Sequence, residues 1–209
     1  MPLEESKFFW KEARTKSMQQ HFFLPDIPPS VRLTFEPLTY ENGLQLFDIF
    51  KNDPNPFVDE RFKIQDEAED YVSYMMEYTR FSIKNAAFDW LLRLNTTGEY
   101  MGVFHLHDLS NQVFGSANRK ATIGYAVGEK FRRQGFVREA ITHFSTFVFD
   151  NSNKIKLLVY TNRENEATIQ LMHSLKWQQQ DDKYVYSDKY AYFELWKEGY
   201  KSFAIQEVK

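Results

Sequence analysis

Polar and apolar positions follow two rhythms along this chain. Val31, Leu33 and Phe35 alternate with polar residues, which predicts a strand over 31–35. The rhythm then lengthens. Leu44, Leu46, Phe47 and Phe50 form a helical stripe, with Thr39 placed to cap it. Asn52-Asp53-Pro54-Asn55-Pro56 is a loop. A second helix is expected over 66–78, with Tyr71, Val72, Met75 and Met76 on one side. Strands over 88–94 and 100–106 flank the turn Asn95-Thr96-Thr97-Gly98-Glu99 and should form a hairpin. Another strand follows over 121–127. Phe136, Ala140, Ile141, Phe144, Phe147 and Val148 recur at helical spacing and predict a helix over 135–149. The nearly all-apolar run 155–160 reads as a strand buried on both faces. A helix over 165–175 comes next, then strands over 184–186 and 190–196 around Ser187-Asp188-Lys189.

Strands and helices interleave with no linker, repeat or low-complexity tract between them. The expectation is one α/β domain of the mixed α+β kind over 31–209, with helices on both faces of a mixed sheet. Residues 1–30 read as an extension. Phe8, Phe9, Trp10, Met18, Phe22 and Phe23 suggest a short amphipathic helix, ended by Pro25, Pro28 and Pro29. It is read as a strap on the core, with a lid or a homodimer contact as the alternatives.

Composition narrows the function classes. Aromatics reach 17%, with 20 Phe and 12 Tyr, which points to an aromatic-lined core or cleft. The net charge of -3 argues against nucleic-acid binding. The absence of cysteine excludes disulfides, thiolate ligands and a cysteine nucleophile, and it fits a reducing compartment. No apolar run approaches the roughly 18 residues of a membrane span. With no signal-type N-terminus either, a cytoplasmic protein without membrane contact is expected. Asn95-Thr96-Thr97 fits a glycosylation sequon but is read as a turn.

Two segments carry candidate chemistry. The first runs from Ile123 to Ala140: a strand, a cationic turn holding Gly135, and a helix start. Such a turn aims amides and the positive helix end at a phosphate. Gly135 lets a ligand approach the backbone, and Arg132 and Arg133 add charge. Taken alone, the turn reads equally as a solvated basic loop with a glycine cap. Neither a Walker-type nor a Gly-x-Gly-x-x-Gly pattern is present. The second segment, Leu158 to Thr168, is a buried strand, a polar loop and a helix start. Asn162 or Asn165 can cap that helix, and Asn165 and Thr168 stand one turn apart, facing one cleft.

Together the two segments resemble the GNAT superfamily of acyl-CoA N-acyltransferases, most closely its ribosomal-protein N-terminal acetyltransferase (RimJ/RimL-like) branch. Arg132-Arg133-Gln134-Gly135-Phe136-Val137 is similar to the family's pyrophosphate loop, with Val137 in place of a small residue. Ile123-Gly124-Tyr125-Ala126-Val127 is similar to the strand before it, and Asn165-Glu166-Ala167-Thr168 to the family's Asn-x-x-Ser. Leu175-Lys176-Trp177 stands for Leu-Gly-Phe without the glycine. The likeness spans about residues 31–196.

That resemblance implies a mostly antiparallel GNAT-type sheet in which the parallel strands 123–127 and 155–160 splay apart around acetyl-CoA. Tyr125, Ala126, Val127, Arg132, Arg133, Gln134, Gly135, Phe136, Val137 and Asn165 would bind this cosubstrate, with no metal. A primary amine, on a protein N-terminus or a small cationic molecule, would attack the thioester directly. A backbone amide near Ala126 or Val127 would face the oxyanion. The position aligned with the family's acidic tyrosine is Met172, and that of a frequent glutamate is Gln180, so neither role carries over. Thr168 becomes the candidate proton donor, with a plain helix-cap hydroxyl as its other role. His105 and His107 share one face of a strand. His107 is the candidate base, against a simple hydrogen-bonded sheet histidine, and two histidines without a third ligand make no metal site. Asp53, Asp59, Glu60, Asp66, Glu67, Glu69 and Asp70 form either a solvated face or a negative rim that gathers cationic amines. The alternative function is an acyl-CoA-binding regulatory module without turnover, and a third is a structural protein acting through its aromatic N-terminus.

Overall fold

The strands β1 (Leu33–Pro37), β2 (Ala86–Leu94), β3 (Tyr100–Leu109), β4 (Lys120–Val127), β5 (Lys156–Asn162), β6 (Gln178–Gln179) and β7 (Tyr190–Trp196) join in one sheet ordered β1-β2-β3-β4-β5-β7-β6. The coordinates are a computed structural model that describes residues 26–81, 86–109, 120–152, 154–180 and 188–204, with backbone alone at 78–81, 86–87, 107–109 and 201–204. All neighbouring strands run antiparallel except β4 and β5. That parallel pair is short. It joins Lys120 to Lys156, Ala121 to Leu157 and Thr122 to Leu158, and then stops. Beyond it β4 stays with β3 as far as Val127, while β5 follows β7 as far as Asn162. The expected splay is therefore present.

Helices α1 (Tyr40–Gly43), α2 (Gln45–Phe50), α3 (Gln65–Phe81), α4 (Phe136–Asn151), α5 (Glu166–Ser174) and α6 (Lys197–Ala204), with short 3₁₀ turns at Glu60–Lys63 and Glu129–Phe131, complete the described elements. Thr39 caps α1 through a reciprocal box with Asn42, at 3.1 and 2.7 Å. The helix expected to run on to Phe50 breaks at Leu44. Leu46 and Phe50 are buried, but Leu44 points to solvent.

Strand alternation divides the core in two. Trp90, Leu92, Phe104 and Ile123 face α4, while Leu91 and Val103 face α2 and α3. Phe144 of α4 sits against Phe104 and Trp90, with ring centroids 4.8 and 5.3 Å away. On the other face Phe62 packs between Phe50 and Tyr71, at 5.5 and 4.9 Å. Such aromatic pairs contribute about 0.5–1.5 kcal/mol each beyond their buried area.

Two elements depart from the sequence reading. The two-residue β6 and the helix α6 were not anticipated, because two exposed glutamines show no alternation and no breaker separates Trp196 from Lys197. The strand expected over 184–186 lies outside the described residues. So does the aromatic segment from Phe8 to Phe23. Of the proposed extension, residues 26–30 are described. Ile27 enters the α4-side core, and His143 donates to the Pro28 carbonyl (2.6 Å).

Candidate active site

The open edge of β4 is the first component of the site. Gly128 N–H donates to Met101 O on β3 (3.0 Å). Strand alternation therefore turns the Ala126 amide toward β3 and the Tyr125 and Val127 amides toward the edge that β5 has left. Of the two amides considered for the oxyanion, that of Val127 is the one on the open edge.

The turn before α4 is the second component. Gly135 has φ 78° and Arg133 φ 61°, so the chain passes through two left-handed residues before the helix. Glu139 N–H to Gly135 O (3.1 Å) is the first intrahelical bond, which leaves the amides of 136–138 without a helical acceptor. Together with the left-handed backbone they form a concave, positively polarised end. Most side chains of this turn are engaged within the protein. Arg132 folds back, with its Nε on Val127 O (3.0 Å) and its guanidinium paired with the buried Asp53 carboxylate. Its charge is thereby matched inside the protein and does not extend the cradle. Gln134 Nε2 donates to Lys130 O (2.7 Å), Phe136 is buried, and Val137 packs on the core. What Gln134, Phe136 and Val137 offer a phosphate is therefore their main chain. Arg133 is exposed.

The sequence reading gave no role to Arg32. Its guanidinium reaches Glu139 Oε2 (2.5 Å) and Gln134 O (3.0 Å) and lies 4.4 Å from the Phe136 ring, tying β1 to the turn. Burial alone would raise the Glu139 pKa. Hydrogen bonds from the Ser30 hydroxyl and from the Arg32 amide and guanidinium outweigh it and hold the carboxyl below its ordinary range. An acid in the first helical turn is the signal that pointed there.

The third component is the notch between the splayed strands, a cavity of about 340 Å³ bordered by Tyr125, Tyr160, Asn162, Asn165, Thr168 and Tyr190. Asn165 caps α5, its Oδ1 accepting from Thr168 N–H (3.3 Å). Tyr125 O–H donates to Thr168 Oγ1 (3.1 Å). Burial pushes the Tyr125 phenol up to about 12, against the opposing effect of the Thr168 hydrogen bond. Tyr125 was expected only as a cofactor contact, and its hydroxyl proves to be the partner of Thr168. Met172 is fully buried in the core, and the Gln180 main-chain N–H donates to Tyr192 O (2.9 Å) at the sheet edge.

A second cavity, about 410 Å³, adjoins the notch and shares Phe57 and Tyr125 with it. His105, Asp59, Tyr71 and Ala126 also border it. His105 Nδ1 lies 2.6 Å from Asp89 Oδ1, and Tyr71 O–H donates to Asp89 Oδ2 (3.0 Å). The candidate base His107 pairs with Thr122 in the β3–β4 ladder, and its side chain lies outside the described residues. Three of the seven acids of the expected rim are ion-paired. Asp53 is held by Arg132, Asp59 by Arg61 (2.6 Å) and Glu60 by Lys63 (2.9 Å), and Asp59 alone of that cluster borders the cavity. A larger cavity, about 580 Å³, lies at the α2–β3 corner, where Lys51–Asp48, Lys130–Glu99 and Arg132–Asp53 pair its charges. Among the described residues no group of three or more His, Asp or Glu is gathered as for a metal, and no helix is long and apolar enough to cross a membrane.

Comparison with known proteins gives a consistent result. Residues 32–178 match the acetyltransferase (GNAT) domain family. Curated proteins give no match by sequence. Among solved structures the fold is shared with RimL, a ribosomal L7/L12 alpha-N-protein acetyltransferase in complex with coenzyme A (16% identity, TM-score 0.63, 82% of this chain and 98% of that one). It is shared also with FdhC, a nucleotide-linked sugar GNAT (10%, TM-score 0.69, 88% and 98%). A third is a chimera of the spermidine N-acetyltransferase SpeG from Vibrio cholerae and hSSAT (12%, TM-score 0.62, 80% and 97%).

Proposed function

Because the chain belongs to the GNAT acetyltransferase family, we propose that it transfers the acetyl group of acetyl-CoA to a primary amine, on a protein N-terminus or a small cationic molecule, by direct attack within the RimJ/RimL-like branch. One observation carries the reading. The β4–β5 gap is bordered by the Tyr125–Thr168 hydroxyl pair, and β4 leads through the Gly135 turn into α4, whose amides at 136–138 have no helical acceptor.

The residues present fit coenzyme A. Gly135 supplies a left-handed turn without a side chain, and the amides of 136–138 supply donors for a diphosphate. When bound, acetyl-CoA supplies an acyl carbon with a thiolate leaving group. The protein then has three tasks. The Val127 amide faces the edge where an oxyanion would develop. Thr168, whose oxygen accepts from Tyr125, keeps its own proton to donate onward. Tyr125 stays protonated at neutral pH and can replenish that proton. Asn165 fixes Thr168 by capping the helix that bears it.

Thr168→Val tests this reading. Thiol release from acetyl-CoA should fall by about 10²-fold, the low end of what one positioned proton donor contributes. The rise in melting temperature on adding CoA should stay as in the wild type, because binding to the folded state alone produces it. Unchanged turnover would remove Thr168 from the chemistry. Stabilisation by CoA without thiol release, over a panel of peptide amino termini, polyamines and amino sugars, would instead favour the non-catalytic module.

A further inference from the structure

We infer that His105, held in place by Asp89 and Tyr71, is the base that takes the proton of the acceptor amine. The inference rests on the transferase reading above. Asp89 lies on β2, directly opposite His105 of β3, and its side chain is 1% exposed. A carboxylate that deep in a core is costly unless both oxygens are engaged. Here Oδ1 faces the imidazole and Oδ2 accepts from Tyr71. Burial, reinforced by Asp89, raises the Tyr71 pKa above its ordinary value, so the phenol donates. Asp89 accepts at both oxygens, which fixes the imidazole proton on Nδ1 and the lone pair of the neutral ring on Nε2.

The ring lies where an amine would arrive. His105 borders the 410 Å³ cavity with Tyr125 and Ala126, and Tyr125 also borders the notch. Gly124 pairs with His105 across the ladder. A Cβ there would stand 3.3 Å from His105 Cδ2, so glycine leaves the ring its room over β4. The other polar groups lining that cavity are Asp59 and Arg61, paired with each other, and the phenols of Tyr71, Tyr74 and Tyr125.

The step balances as follows. An ammonium gives one proton to His105 Nε2, and the Asp89 carboxylate stabilises the resulting imidazolium. The freed nitrogen pair forms the C–N bond to the acetyl carbon. The C–S bond breaks and its electron pair leaves with sulfur. The thiolate takes a proton through the Thr168 hydroxyl while the former amine nitrogen gives one up, and His105 returns its proton to water. Amide, free thiol and one proton result.

The test is a pH profile of kcat/KM for thiol release, with spermidine and a tripeptide with a free amino terminus as acceptor probes. NMR titration of the His105 ring in the protein without cosubstrate runs in parallel. The wild type should show an acid limb at the ring's own titration midpoint. Asp89→Asn removes the carboxylate that holds the ring and should lower kcat while the CoA-induced thermal shift stays unchanged. Tyr71→Phe removes one of the two donors that fix Asp89 and should lower kcat by less than Asp89→Asn does. His105→Gln alters neither Asp89 nor Tyr71 and keeps the test open should either of those variants fail to fold. His105→Gln should cut kcat by about 10²-fold or more and leave the CoA-induced thermal shift unchanged. Turnover by His105→Gln within twofold of wild type, or a limb that does not follow the ring midpoint, overturns the inference. CoA stabilisation and wild-type thiol release probe the transferase reading without His105. Their failure defeats that reading together with this one, whereas the variants defeat the base alone.

Discussion

Gly135→Ala and Gly135→Asp bring the same Cβ to φ 78° but differ in charge at the start of α4. That Cβ would meet only the Arg32 guanidinium, at 3.5 Å, so space is not the obstacle. Alanine in the left-handed region costs about 1–2 kcal/mol. For a chain of this length the melting temperature should fall by about 2–8 °C. Aspartate visits that region more readily, and its carboxylate gains about 0.3–1 kcal/mol at a helix N-terminus. The Asp variant should therefore be the more stable of the two. Coenzyme A binding should rank the other way. A carboxylate about 4 Å from a phosphate oxygen costs about 1 kcal/mol in bulk water and about 4 kcal/mol at the effective dielectric of a protein surface. Calorimetry should accordingly give a Kd for the Asp variant roughly 5-fold to 10³-fold weaker than for the Ala variant, with the gap narrowing as salt is added. Equal affinities for the two variants would refute the idea that the diphosphate sits on the amides after Gly135.

The Arg132–Asp53 pair gives a second test. Asp53→Asn leaves that guanidinium facing a neutral group, and urea unfolding should show a loss of about 3 kcal/mol. Arg132→Gln should leave the Kd for CoA within about threefold, whereas a tenfold loss, or about 1.4 kcal/mol, would restore its side chain to the cradle. Glu139 predicts a pH dependence. Its folded pKa lies below the unfolded value of about 4.3, so its stabilisation is present above that pH and is lost as pH falls through the folded pKa. Glu139→Gln should cost about 0.5–1 kcal/mol at pH 7, discounted because Arg32 is 41% exposed, and nothing in strong acid. An equal loss at both pH values in urea unfolding would count against the assignment.

What was legible in the sequence was local. The turn at Gly135, the cap at Asn165 and the box at Thr39 each lie within a few residues of the groups they serve. The partnerships that define the site are not local. Arg132 meets Asp53 across 79 residues and Tyr125 meets Thr168 across 43, with no periodic signal for either. The two histidines show the point most sharply. His105 and His107 share a face by alternation, so periodicity could not choose between them. The choice depends on what stands opposite on β2, and therefore on hairpin register. Leu94 N–H bonds Glu99 O at the turn, and Arg93 pairs with Tyr100. Continued without interruption, that register would set Asp89 opposite Phe104, a carboxylate against a core ring. A shift between Leu92 and Arg93 instead pairs Leu92 with Gly102 and Asp89 with His105. A one-residue slip exchanges which residues of β3 face those of β2. The irregularity thus brings the acid to the imidazole and the aromatic residues Trp90 and Phe104 to each other, on opposite faces of the sheet. Nothing in the five residues of the turn announces it, because a bulge is set by which pairing buries the flanking side chains best.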